Sequence, residues 1–197
     1  MGPMSSPDWT PLAEGDRRLL LRLARDSIHY GLDEGRALPV RLGDHPERLH
    51  AKRATFVTLL QQQGQLRGCI GHLEVIQSLV EDVAENAWSA AFRDPRFPPL
   101  TAAELPGLGI HISVLTPPQP MHFTSEADLL RQIRPGVDGL ILQDGWARGT
   151  FLPSVWESLP RVADFWTQLK HKAGLPAHHW SADLRVFRYE TESFSEQ

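Results

Sequence analysis

Apolar side chains recur at helical spacing near the start of the chain. Spacings of three, four and seven residues between apolar side chains are typical of an amphipathic helix. These side chains are Leu12, Leu19, Leu20, Leu23, Ala24 and Ile28. Thr10 followed by Pro11 predicts the N-cap and the first helical position, and Gly31 and Gly35 are expected to close the helix. The polar residues 38–52 predict a long surface loop.

Strand patterns follow in the next part of the chain. Residues 54–60 (ATFVTLL) are β-branched and aromatic, which favours a strand, and residues 66–73 (LRGCIGHL) are expected to return as its hairpin partner. Gly64 supplies the positive φ that the connecting turn needs. Residues 109–115 (GIHISVL) alternate apolar and other side chains, which again predicts a strand.

The clearest helix signal begins at Ser78. Ser78 and Glu81 match the capping box, in which a hydroxyl and a carboxylate each satisfy a free backbone donor. One apolar face follows, made of Val80, Val83, Ala84, Ala87, Trp88 and Ala91. The pair Asp94-Pro95 should end this helix, because proline disfavours the helical conformation at the residue before it.

The second half of the chain again mixes predicted helices and strands. It predicts a short helix over 125–133, a hairpin over 139–151, a helix from Pro160 to Gly174 and a strand over 184–190. Asp144-Gly145 is the favoured two-residue turn of the hairpin. Helices mixed with hairpins, without regular strand–helix–strand alternation, predict an α+β fold built mainly on antiparallel sheet flanked by helices.

Composition narrows the classes of function. The chain has 197 residues, a net charge of −4 and one cysteine. The acidic balance argues against nucleic-acid binding, because nucleic-acid-binding domains are usually strongly basic. With no run near the ~20 apolar residues that span a bilayer and no secretory signal, we expect no membrane partner and a cytoplasmic protein. Residues 1–9 are expected to be a disordered N-terminus.

The lone thiol lies in an unusual strand. If side chains alternate along the strand, one set faces the core: Leu66, Gly68 and Ile70. The other set faces away from it: Arg67, Cys69 and Gly71. A guanidinium beside a thiol favours the nucleophilic thiolate, and glycine in a strand often marks close approach by a ligand or another backbone. Inert packing of Cys69 as a small buried hydrophobe remains open beside this functional interpretation.

A second unusual stretch is AAFRDPRFPPL, residues 90–100. Arg96 next to a rigid proline turn can grip a carboxylate or phosphate, because a guanidinium donates hydrogen bonds in pairs. In the structural alternative, Asp94 caps and pairs locally while Phe97 fills the core. Both interpretations stay open at this point.

Metal and nucleotide motifs are absent from the sequence. The nine histidines show no His-Glu-x-x-His spacing, and a single cysteine excludes a CxxC pair. His72 alternates away from Cys69, and His111 falls on the side of its strand opposite the apolar residues. No phosphate-binding loop occurs either. We therefore predict no metal site, and any cofactor remains unknown.

Six stretches, in order, carry a family resemblance: ATFVTLLQQQGQLRGCIG, AENAWSAAFRDPRFPPL, ISVLTPP, PGVDGLIL, GTFLPSVW and LKHKAGL. The chain resembles the AMMECR-type domain, called AmmeMemoRadiSam system protein A in bacteria, from about residue 12 to 190. The resemblance implies one domain over residues 10–194 with two lobes and a cleft between them. The larger lobe is formed by both chain ends, and the other lobe is smaller.

The resemblance also implies neighbours and signature residues. A Memo-like protein and a radical-SAM protein are the expected partners. The signature positions give Cys69 and Arg67 as the candidate catalytic residues. The candidate substrate-binding residues are Gly68, Gly71, Asp94, Arg96 and Phe97.

Two functions from different classes follow. In the first, a cleft cysteine and arginines act on, or bind, an anionic small molecule. In the second, the protein is a non-catalytic adaptor or scaffold that docks the two expected partners through the cleft or through exposed tryptophans near Trp146 and Trp156.

Overall fold

The computed structural model describes residues 10–196, so the prediction for residues 1–9 lies outside the described residues. The chain divides into two compact units. The first contains the described residues up to Leu115 together with those from Glu192 onward, and the second contains Thr116–Thr191. Each unit has its own sheet and its own hydrophobic core.

The first unit is built on a four-stranded sheet. Its strands lie in the order β2-β1-β3-β8, with β1 over Thr55–Leu60, β2 over Leu66–Gly71, β3 over Gly109–Leu115 and β8 over Thr191–Ser195. β1 pairs antiparallel with both β2 and β3. Two helices cover one face, α1 over Glu14–Glu34 and α2 over Leu79–Phe92.

The two faces of this sheet differ in character. Val57 and Leu59 of β1, like Ile110 and Ile112 of β3, are buried against the helices. We call this the inner face. Because alternate side chains of a strand point to opposite sides, Thr58 and its neighbours across the sheet lie on the other side, the outer face.

α1 begins later than its sequence predicts. The N-cap is Ala13 and not Thr10, and no side chain caps the helix. Gly35 ends the helix with a φ of 68°, and its N–H donates to the oxygen of Gly31 at 3.0 Å. Gly31 itself does not close the helix. Its missing side chain makes room for Trp88 of α2, which would lie 2.4 Å from a Cβ at that position.

α2 matches its prediction closely. Both halves of the capping box form, with the Glu81 N–H donating to Ser78 Oγ and the Ser78 N–H donating to Glu81 Oε2 at 3.2 Å. The helix stops at Phe92, two residues before Asp94-Pro95. The segment 38–52 is less of a surface loop than predicted, because Leu49 is fully buried in the core.

The second unit has a second four-stranded sheet. Its order is β4-β7-β5-β6, with β4 over Gln119–Pro120, β5 over Gly139–Asp144, β6 over Ala147–Phe151 and β7 over Arg185–Tyr189. All three pairings are antiparallel. The helices are α3 over Glu126–Gln132 and α4 over Val162–Lys172.

Two details of the second unit differ from the sequence prediction. The hairpin turn is Gly145-Trp146, because Asp144 pairs with Ala147, and Gly145 takes the positive φ of 58°. Trp146 is therefore at the tip and 99% exposed, whereas Trp156 is buried. The Trp156 ring stacks on Phe165 at 3.8 Å, and its indole N–H donates to the backbone oxygen of Asp138 at 2.8 Å.

The predicted α+β fold with antiparallel sheets flanked by helices is confirmed. The sequence did not predict β4 or β8, which are a two-residue edge strand and a polar strand. Within residues 10–196, none of the helices has the length and apolarity required to cross a bilayer.

Candidate functional site

Cys69 lies in the middle of β2, directly opposite Thr58 of β1. The Thr58 hydroxyl donates a hydrogen bond to Cys69 Sγ at 3.2 Å. The cysteine is partly exposed. A hydroxyl that donates to sulfur stabilises the anionic thiolate more than the neutral thiol.

A polar row continues across the outer face. Thr58 pairs with Cys69 on one side and with His111 of β3 on the other. Side chains of directly opposed residues in antiparallel strands have Cβ atoms about 4.5–5.5 Å apart. Ser113 lies within 3.4 Å of His111 Nε2 and within 2.9 Å of the Ser193 hydroxyl. The sheet thus places a thiol, a hydroxyl and an imidazole in one row.

The imidazole of this row favours its neutral form. Burial lowers the pKa of His111 below its ordinary value of 6.5, because a desolvated imidazolium is less stable than the neutral ring. A neutral imidazole has one nitrogen that can take a proton.

The segment after α2 binds the backbone of Cys69. The Cys69 N–H donates to Asp94 Oδ2 at 2.8 Å, and Arg96 Nη2 donates to the Cys69 carbonyl oxygen at 3.3 Å. β2 is an edge strand, so these two groups have no further strand to pair with. We call Asp94 and Arg96, with these contacts, the edge clamp.

Asp94 and Arg96 also bind each other. The Asp94 carboxylate accepts hydrogen bonds from Arg96 Nη2 at 2.6 Å, from Nε at 2.9 Å and from the backbone N–H at 3.1 Å. The Arg96 hydrogen bond holds the pKa of Asp94 well below its usual value of 3.8, and the Cys69 and Arg96 backbone donors add to the effect. The Arg96 side chain remains 54% exposed, which leaves part of the guanidinium open to solvent beside the thiol strand.

Arg96 also responds to charge on the thiol. The pKa of Arg96 is raised above its ordinary value, first by the Asp94 hydrogen bond and in smaller part by the negative charge of Cys69. The guanidinium lies beside Cys69, whose backbone oxygen accepts from Arg96 Nη2 at 3.3 Å.

Arg67 has a different environment from Arg96. A register shift between Leu59 and Leu60 leaves Arg67 as the extra residue of a β-bulge, since Leu59 pairs with Gly68 and Leu60 with Leu66. Its buried guanidinium donates to Glu104 Oε1 at 2.6 Å. This pairing lowers the pKa of Glu104 to about 2.

The rest of the Arg67 guanidinium contacts the loop after α2. Nη2 donates to the Pro98 oxygen at 3.0 Å, and the group lies over the ring of Phe97 at 5.9 Å. Nη1 is buried and has no partner among the described residues. Arg67 thus lies inside the protein and not on an exposed face beside the thiol, because the bulge redirects it toward Glu104.

The two glycines of the cysteine motif admit neighbouring backbone. A Cβ on Gly68 would lie 2.1 Å from the oxygen of Ala90, so this glycine lets α2 pack onto β2. A Cβ on Gly71 would lie 2.3 Å from the oxygen of Thr55 and 2.4 Å from the ring of Phe56. Close approach at both glycines is thus made by the protein's own atoms.

His72 belongs to a separate network. Its Nδ1 lies 3.2 Å from Asp82 Oδ1, and the other oxygen of this buried carboxylate accepts from the Thr55 N–H at 2.8 Å and from Asn86 Nδ2 at 2.9 Å. This network joins α2 to the start of β1. Within the part of the chain that the structure describes, no group of three or more histidine, cysteine or acidic side chains can hold a metal ion.

The site therefore unites some predicted residues and adds others. Cys69, Asp94 and Arg96 are in direct contact, while Phe97 lies under both arginines, at 5.6 Å from Arg96. Thr58 and His111 were missed as site residues. Their polarity on alternating strands was visible, but the pairing of β1 with β3 spans about fifty residues and had no local signal.

Comparisons with known proteins agree with this architecture. The family model described as AMMECR1 matches residues 21–194. A protein from Methanothermobacter thermautotrophicus is 40% identical over 95% of this chain and 98% of its own length. A second relative, from Methanocaldococcus jannaschii, is 39% identical over 77% of each chain.

A solved structure extends the likeness to three dimensions. The crystal structure of an uncharacterized protein from Pyrococcus horikoshii matches with a TM-score of 0.85 and 35% identity, over 94% of both chains. With the family model covering most of its length and relatives at this identity, the chain belongs to the AMMECR1 family.

Proposed function

We propose that this protein acts on a small anionic molecule through Cys69 on the outer face of its first sheet. The observation that carries the proposal is the partly exposed residue Cys69, whose sulfur accepts a hydrogen bond from the Thr58 hydroxyl at 3.2 Å in a row that also contains His111. Reactive cysteines are found in such partly exposed sites with nearby positive charge and hydrogen-bond donors.

The residues divide into distinct roles in this proposal. The Cys69 thiolate is the nucleophile, the Thr58 hydroxyl donates a hydrogen bond to its sulfur, and neutral His111 lies next to Thr58 in the same polar row. The exposed part of the Arg96 guanidinium attracts the negative charge of the substrate. Asp94 is a positioning residue, because its carboxylate fixes the Cys69 backbone and Arg96 together.

Arg67 has a revised role in this proposal. The sequence suggested a catalytic arginine, but Arg67 is buried and bound to Glu104 and Pro98. We assign it to holding the 97–104 loop against β2. Gly68 and Gly71 likewise shape the site through close packing and not through contact with substrate.

The ratio of two alkylation rates tests the anion preference. Iodoacetate is anionic and iodoacetamide is its neutral analogue, so the ratio of their rate constants at Cys69 reports on local positive charge. We expect this ratio to exceed the ratio for free cysteine about fivefold, since ~1 kcal/mol of attraction between solvent-exposed charges gives that factor. The single cysteine makes each rate unambiguous.

Variants identify the source of the charge. Arg96→Gln should return the ratio to that of free cysteine, whereas Arg96→Lys should keep most of the enhancement. Arg93→Gln is the matched control, because it removes the same charge from an exposed neighbour that stacks on Trp88 at 5.0 Å. A wild-type ratio equal to that of free cysteine would contradict the proposed anionic substrate.

A second candidate function is an adaptor for a Memo-like or radical-SAM protein. The observation that favours it is Trp146, which is 99% exposed at the tip of the β5–β6 hairpin. Exposed tryptophans at protein surfaces often serve as binding anchors. Trp156 has no part in this version, because it is buried under Phe165.

Co-purification distinguishes the two functions. If the adaptor function is right, Trp146→Ala abolishes capture of the co-expressed partner, Trp146→Phe retains part of it, and Cys69→Ser retains all of it. Capture that is unaffected by Trp146→Ala, or no capture by the wild type, would rule out docking through this hairpin.

A further inference from the structure

A cavity of about 470 Å³ opens on the second unit beside the edge of its sheet. β4 is only two residues long because prolines interrupt the 117–120 segment, and proline has no N–H to donate to a neighbouring strand. The Met121 N–H makes the last contact, to the oxygen of Val186 at 2.8 Å. The cavity lies between residues 120–124 and residues 180–187.

The walls of the cavity combine aromatic and apolar side chains with a similar amount of polar surface. Phe123 and Trp180 form a tilted pair with ring centroids 5.5 Å apart, and Trp180 is 39% exposed. Met121, Leu184 and Phe187 also line the cavity. The volume falls within the range of about 300–1,000 Å³ typical of small-molecule sites. Aromatic walls of this kind accept planar rings by stacking or cations by attraction to the ring face.

The charges around the cavity decide between these two ligand classes. His122 and Arg185 are exposed lining residues, and none of the described lining residues is acidic. Ser181 donates to Asp144 at 2.7 Å, but that carboxylate lies outside the lining and also binds His179 at 2.5 Å. Arg185 therefore disfavours a cation and provides a planar donor for a carboxylate or phosphate.

The sheet edge is a poor site for an extended peptide. Strand addition depends on a row of free backbone groups. β7 has five residues, and its outer side already pairs with β4 through Arg188 and Phe187, followed by the Met121 contact to Val186. Little of the β7 edge is left for a further strand.

We propose that this cavity binds a small planar aromatic anion. The ring lies against Trp180 and Phe123, and the carboxylate or phosphate of the ligand binds the Arg185 guanidinium. The site is built entirely from the second unit and uses no residue of the Cys69 site.

Calorimetric titration with naphthoate and with its neutral amide, naphthamide, tests the proposal. Naphthoate should bind saturably at millimolar concentration or below, and about tenfold more tightly than naphthamide, because a charge-assisted hydrogen bond contributes about that factor. Arg185→Gln should reduce this preference to about twofold or less, while Arg185→Lys should keep part of it.

Four further variants complete the test. Arg161→Gln, which removes an exposed arginine that pairs only at 3.4 Å with Asp164, should leave both affinities unchanged. Trp180→Ala should weaken the binding of both ligands about tenfold, since the ligand ring loses its stacking on an aromatic side chain. Trp180→Phe should restore part of the binding. Cys69→Ser should change neither.

Several outcomes would overturn the proposal. They are the absence of saturable naphthoate binding at millimolar concentration, equal affinity for naphthoate and naphthamide, and full affinity in Arg185→Gln. Loss of binding in Cys69→Ser would place the ligand at the thiol instead. Thermal unfolding of each variant separates loss of the site from loss of the fold.

Discussion

Asp94→Asn should destabilise the protein because it removes the charge at the centre of the edge clamp. The carboxylate is 2% exposed and accepts four hydrogen bonds, two at each oxygen. An amide keeps one acceptor oxygen and turns an NH₂ group toward the other two donors. Breaking a buried pair costs ~3–5 kcal/mol, but Arg96 is half exposed and regains water. We therefore expect a loss of about 2–4 kcal/mol at neutral pH.

The stability difference between wild type and Asp94→Asn should depend on pH. The pKa of Asp94 is well below its ordinary 3.8 in the folded protein, so its contribution is fully present above about pH 5 and is lost as the pH falls toward the folded value. The difference in unfolding free energy between wild type and Asp94→Asn should therefore narrow by about 1 kcal/mol from pH 5 to about pH 3, at 1.36 kcal/mol per pH unit.

Urea unfolding at several pH values measures this difference. Asp164→Asn is the matched control, since its carboxylate is 48% exposed and lies 3.4 Å from Arg161; it should change stability by no more than about 0.5 kcal/mol. Equal stability of wild type and Asp94→Asn, or a difference that does not depend on pH, would refute the assignment of the clamp.

Other substitutions test the surrounding structure by thermal or urea unfolding. Gly68→Ala should cost more than about 2 kcal/mol, because the new Cβ would lie 2.1 Å from the backbone oxygen of Ala90, whereas Gly43→Ala meets nothing within 4 Å and should be nearly neutral; equal effects would contradict the packing role. Glu104→Gln should lower the unfolding free energy by about 2–3 kcal/mol at pH 7. Since the pKa of Glu104 is about 2, this loss should diminish as the pH falls from about 4.5 toward that value. A loss that is constant over this range would argue against the Arg67–Glu104 ion pair. Trp146→Ala should leave stability within about 0.5 kcal/mol of wild type, because its ring is almost fully in solvent, and a larger loss would mean that the ring packs in the folded protein.

The local patterns of the sequence predicted most elements because their causes are local. The Ser78 capping box, the strand alternation around Ile112 and the positive φ of Gly174 each depend on a few neighbouring residues. The turn of the β5–β6 hairpin lies one residue later than predicted, at Gly145-Trp146 and not at Asp144-Gly145. Pairing of Asp144 with Ala147 places Gly145 first in the loop.

The candidate site was harder to predict because its geometry depends on pairing between distant segments. Strict alternation put Arg67 beside Cys69, but the bulge opposite Leu59 and Leu60 turns Arg67 into the protein toward Glu104. Contact between Arg96 and the Cys69 backbone likewise requires α2 to lie against β2, which Gly68 allows. Nothing in either local sequence specifies these distances.

The most direct test of the account is the rate at which iodoacetamide alkylates native Cys69. Cys69→Ser gives the zero level, because the chain has no other cysteine. Between about pH 6 and about pH 8 we expect Cys69 to react several-fold faster than free cysteine, since a hydroxyl donor and a nearby guanidinium favour the thiolate, and Thr58→Val to slow the reaction. A native rate no faster than that of free cysteine across this range would contradict the proposed chemistry.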